Sequence, residues 1–171
     1  MNRQAQISRF PAQFSASTEH QELLYVREEG YYAVPSWQPV RDESLPVTVF
    51  AEGDIAVFKG DPEKDSEPTR DYKEESLLAV YTLKPSGGIA VPTGSVFVRF
   101  AENIDVSLQQ ASLQRAGYLI ERTLSYAPNA AWVRAQSGDV AEALNGLAAL
   151  AKLPQIENVE PQMLSERASR S

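Results

Sequence analysis

Few residues in this chain can do covalent chemistry. Its 171 residues include one histidine, His20, and no cysteine. Nucleophilic catalysis needs a nucleophile beside a general base, and with His20 in a polar stretch the familiar Ser-His or Cys-His pairing has no candidate. Thiolate metal sites and disulfides are excluded outright. Carboxylates are plentiful, and the run Lys59 to Glu75 concentrates them, but it lacks the glycine-turn spacing of a calcium loop. It reads as a solvated loop. No enzyme, metal or cofactor is expected.

The residues that stand out are contact residues. In the stretch SVFVRF, Val96, Val98 and Phe100 alternate with Phe97 and Arg99, and in NAAWVRA, Ala131, Val133 and Ala135 alternate with Trp132 and Arg134. Strand side chains point to opposite faces in turn, so the small apolar set suits a face under helices. Phe97, Arg99, Trp132 and Arg134 are left on the other face. Aromatics and arginines together have the composition of a protein interface. Either a partner or the N-terminal half of the chain would cover them.

The elements that must position them run from Ser95 to Gln162. Strands are expected at Val96 to Phe100, Tyr118 to Leu124, Ala130 to Ala135 and Ile156 to Glu160, with helices at Val106 to Ala116 and Val140 to Leu153. Asp105 can N-cap the first helix and Gly117 can take the left-handed position after it. Its apolar stripe is weak: Leu108 and Ala111 share a face, and Leu113 lies off it. The second helix has a continuous stripe of Val140, Leu144, Leu147, Ala148 and Ala151, Asp139 with Glu142 as a capping box, and Pro154 as its stop. That order predicts an α+β chain, with a ferredoxin-like βαββαβ domain over 95–162 carrying two helices on one face.

Ahead of it, residues 1–21 read as a flexible polar arm with Phe10 and Phe14 as its apolar anchors, and 22–94 as a small β-rich region. Leu23 to Val34 would form two strands about Glu28-Glu29-Gly30. Val47 to Phe50 and Ile55 to Phe58 would form a hairpin, and Leu77 to Leu83 a further strand. Trp37, between two prolines, suits a lid over a small β core or a stacking aromatic. The boundary falls near Pro92 to Gly94, and 163–171 form a polar tail.

With these residues in place, the second half resembles the propeptide of subtilisin-like serine proteases, the I9-type inhibitor domain. The likeness lies in SVFVRF, in G-Y-x-I-x-x-x-L from Gly117, in NAAWVRA and in the closing L-P-x-I-E-N-V-E-P, and covers about 95–168. It implies an inhibitor or folding chaperone that lays its sheet on two protease helices and its tail in the substrate cleft. Glu160 would then face the helix N-termini, where a carboxylate is favoured. The family's second acid falls on Gln162, which lacks the charge. Met163, Leu164, Glu166 and Ala168 would be the cleft-binding residues, with Ala168 near the primary pocket. The alternative is a regulatory or interaction module on the same fold that binds a small ligand or another partner.

A net charge of −7 argues against nucleic acid and anionic membrane surfaces as partners. The N-terminus has no apolar run of signal-peptide type, and no stretch reaches membrane-spanning length, so a cytoplasmic setting is the default expectation, with an extracytoplasmic one left open.

Overall fold

A computed structural model describes residues 3–36, 46–50, 55–62 and 77–165. The chain divides into two compact units. One comprises Met1–Gln13, Tyr25–Val91 and Met163–Ser171, the other Phe14–Leu24 and Pro92–Gln162. The longer segment of the second unit begins at Pro92, where proline and glycine punctuate the sequence, but the unit also takes in Phe14–Leu24.

In the first unit, β3 (Tyr31–Val34), β4 (Thr48–Phe50) and β5 (Ile55–Lys59) form a three-stranded antiparallel sheet in the order β3-β5-β4. The central strand is buried from Ile55 to Phe58, which explains a continuous apolar run where a half-exposed strand would alternate. Tyr32 and Phe58 are register partners and stack at 5.5 Å. The expected hairpin strands do pair, Phe50 opposite Ile55, while the turn between them lies outside the described residues. So do Trp37 and residues 63–75 of the charged run.

Residues expected as a flexible arm hold regular structure instead: α1 (Arg3–Ser8), β1 (Gln13–Ser17) and the start of β2 (His20–Arg27). Polar composition hid this, because the fastening groups are backbone carbonyls that composition does not report. Arg27 Nη1 donates to the Phe10 carbonyl at 2.5 Å, and the Tyr81 hydroxyl donates to the Pro11 carbonyl at 2.7 Å. Burial pushes the Tyr81 phenol well above its ordinary range. The turn at Gly30 (φ +85°) is as expected, but the strands flanking it do not pair with each other: β2 and β3 belong to different sheets.

The larger sheet also includes β6 (Tyr81–Lys84), β7 (Ile89–Phe100), β8 (Tyr118–Leu124), β9 (Ala127–Ala135) and β10 (Ile156–Ser165). Its strand order is β1-β2-β6-β7-β9-β8, with β10 also on β7. The ferredoxin-like expectation is therefore corrected. The chain is mostly β, a six-strand antiparallel path plus the small three-stranded sheet, and not an α+β chain ending in a βαββαβ domain. The sheet runs on past β7 to β6, β2 and β1, and β7 starts at Ile89, ahead of Ser95.

Among the described residues the helices are few and short. A 3-10 helix, η1 (Val106–Gln109), leads into α2 (Gln110–Arg115), and α3 (Val140–Asn145) is followed by α4 (Leu147–Ala151). The expected single helix over 140–153 is interrupted at Gly146, where the neighbouring ring admits only glycine. A Cβ there would lie 2.6 Å from the Tyr118 hydroxyl, which donates to the Ala143 carbonyl at 2.5 Å. The buried ring leaves no room for a side chain at this position. The change from 3-10 to α winding likewise moves Leu113 into the core and leaves Leu108 79% exposed, the reverse of a stripe read at one helical period.

The local caps match their residues. Asp105 accepts from the Ser107 amide at 3.0 Å and Asp139 from the Ala141 amide at 3.2 Å. Glu142 accepts from the Ser137 hydroxyl at 2.7 Å, so it does not close the expected capping box on Asp139.

Candidate functional site

In the second unit β7 and β9 run antiparallel with Val96 opposite Val133, Phe97 opposite Trp132 and Val98 opposite Ala131. One face therefore gathers Val96, Val98, Phe100, Ala131, Val133 and Ala135, packed with Val106, Leu113, Tyr118 and Leu150 in the core. The alternation puts Phe97, Arg99, Trp132 and Arg134 on the other face. Phe97 and Trp132 meet edge-on, 5.4 Å apart at 64°, the geometry the ring quadrupoles favour. Phe97, Arg99 and Trp132 are half-buried and Arg134 is exposed.

Four further residues complete this face, and the sequence pattern did not single them out. Register slips by one residue at Glu121, so Arg122 stands opposite Trp132. Its guanidinium sits 5.6 Å from the Trp132 ring centre, within cation–π range. Strict alternation from Tyr118 would have sent Arg122 to the core, which is why periodicity misses it. The Glu121 carboxylate accepts from the Ser95 hydroxyl at 2.9 Å. Arg99 is held by Glu19, from the turn between β1 and β2, at 2.6 Å, and stands 3.8 Å from Glu157 of β10. Both carboxylates are distant in sequence from Arg99, so no local motif announces them.

The other expected contact residues are dispersed. Glu160 is exposed on β10, and Gln162, also exposed, accepts from the Thr93 hydroxyl at 2.9 Å. Met163 and Leu164 are half-buried and belong to β10, which continues to Ser165; they do not start a free tail. Seating them in a cleft requires the end of β10 to open. Glu166 and Ala168 lie outside the described residues.

A groove of about 250 Å³ opens elsewhere in this unit, lined by Phe14, Leu147, Ala148, Ala151, Val159 and Pro161. Three of the five residues of the expected helix stripe, Leu147, Ala148 and Ala151, thus line a groove, and Leu147 also packs against the core. The neighbouring hydroxyls are committed to the fold: Ser17 accepts from the His20 amide, and Thr18 donates to Asn158 and accepts from the Val159 amide, all at 3.1 Å.

Among the described residues no group of three His, Asp or Glu side chains could hold a metal ion. His20 is exposed, 3.5 Å from the equally exposed Glu22. No helix among them is long and apolar enough to cross a membrane. Comparison with protein-family models, curated proteins and solved structures finds no match in any of the three.

Proposed function

We propose that this chain is a protein-binding module that engages a subtilisin-like serine protease, as inhibitor or folding chaperone, through the sheet face around Phe97 and Trp132. The single observation that supports it most is the aromatic pair, left half-buried on an intact sheet and ringed by Arg99, Arg122 and Arg134. Centrally placed Trp and Arg side chains are the residues that most often dominate binding energy. The choice of partner rests on the sequence likeness from SVFVRF to IENVEP. The proposal assigns no catalysis to the chain.

The sheet face, rather than the tail, bears the contact in this reading, because Met163 and Leu164 are part of β10. The test is inhibition of subtilisin by the full chain. Dose-dependent slowing of peptide hydrolysis is expected, with Trp132→Ala raising the inhibition constant by about 30-fold, or about 2 kcal/mol. No slowing by the folded wild-type chain defeats the reading.

A further inference from the structure

We infer that the Phe97–Trp132 face recognises an acidic, extended segment of its partner, read by Arg122 and Arg134; this rests on the reading of that face as a protein contact. The three arginines there are not equivalent. Arg99 already holds the carboxylates of Glu19 and Glu157. Among the described residues neither Arg122 nor Arg134 has a carboxylate within ion-pair distance, although the chain as a whole is acidic. Arg99 with Glu19 thus displays, inside the molecule, the contact that the other two arginines leave open.

The spacing fits an extended occupant. Arg122 stands opposite Trp132 and Arg134 lies two residues along β9 from Trp132, so the two arginines are diagonal neighbours about 7 Å apart at Cα. Alternate side chains on one face of a strand are about 6.6 Å apart, so acids at positions i and i+2 of a partner strand match both. β8, which bears Arg122, is the last strand of the sheet path, and its outer edge takes no other strand among those described. That open edge leaves room for an extended segment to lie across the face from Arg122 to Arg134. Guanidinium suits carboxylate because its donors bind in parallel pairs, and stacking on Trp132 holds Arg122 in place for this.

Single-stranded RNA fits less well. A stacking platform needs open ring faces, whereas Arg122 lies over Trp132 and Phe97 meets it edge-on. Besides Glu19 and Glu157, which Arg99 holds, Glu121 opposes an acidic partner on this face; it is committed to Ser95 and adjacent to Arg122. That opposition gives the proposal a sign test.

The experiment is fluorescence anisotropy with the full-length chain and a labelled peptide of alternating Val and Glu. A Val-Lys counterpart and an oligouridylate serve as competing probes. The acidic peptide is expected to bind at low salt and weaken as salt rises, while the Val-Lys peptide does not bind. Arg122→Ala with Arg134→Ala should weaken binding by about tenfold or more, and Glu121→Gln should strengthen it several-fold. Both arginines are exposed, so the double variant is expected to keep its fold, checked by circular dichroism. Failure of the acidic peptide to bind, indifference to the arginine variants, or preference for oligouridylate overturns the inference. An inactivated subtilisin arm separates the two readings. Retention by the arginine variant with loss in Trp132→Ala removes acid recognition and keeps the protein contact. Acidic-peptide binding without protease binding does the reverse for the choice of partner.

Discussion

The two faces of β7 and β9 are made by the same strands, residue by residue in alternation, yet they solve different problems. Under the helices, Val98, Phe100, Ala131, Val133 and Leu113 are fully buried in one apolar cluster. Across the sheet, larger residues keep part of their surface in water and are held by edge-on aromatic contact, cation–π contact and ion pairs. The first face lowers the free energy of folding. The second leaves apolar and charged surface in water, which is what the proposed partner contact would bury.

The sharpest way to break that contrast is a matched pair of truncations. Leu113→Ala should cost about 3 kcal/mol in denaturant unfolding, because a fully buried leucine leaves a cavity. Trp132→Ala should cost less than half as much, despite removing the larger side chain. Equal losses would make Trp132 a core residue and collapse the distinction between the faces.

Gly146→Ala comes next. The new methyl meets the Tyr118 hydroxyl, so the variant should lose about 1–3 kcal/mol by overpacking. Since the clash lies on the helix side, protease affinity of the folded protein should stay unchanged. A shift in affinity with stability would mean that the faces are coupled.

The smallest effect is electrostatic. Hydrogen bonds from the Ser107 hydroxyl and amide hold the Asp105 carboxyl below its ordinary range. A depressed folded value means that the cap contributes above the unfolded-state pKa and is lost as pH falls through the folded one. Acid unfolding of Asp105→Asn should therefore begin from a lower stability at neutral pH and converge on wild type at low pH, while binding through the Trp132 face shows no matching change.

Alternation was the part of the site legible in the sequence: it set Phe97, Arg99, Trp132 and Arg134 apart from the valines and alanines. Caps at Asp105 and Asp139 were legible too, since each is a local bond. What could not be read was whatever depends on distant chain or on a broken period. Glu19 and Glu157 reach Arg99 through sheet pairing, and the register slip at Glu121 brings in Arg122. A stripe counted at 3.6 residues per turn gave one helix where the chain has two, separated at Gly146 beside Tyr118. The fold class failed for the same reason. Nothing in residues 95–162 reports that β7 also pairs with a strand from before Pro92, and short polar strands at the N-terminus resemble an arm until their partners are known.

The central claim is that the Phe97–Trp132 face is a contact surface and not spare core. Titration calorimetry of the full chain against an inactivated subtilisin tests it most directly, comparing wild type with Trp132→Ala. The account predicts saturable binding by wild type and about 30-fold weaker binding by a variant that remains folded. Equal affinity for the two proteins, or no heat of binding with either, would contradict it.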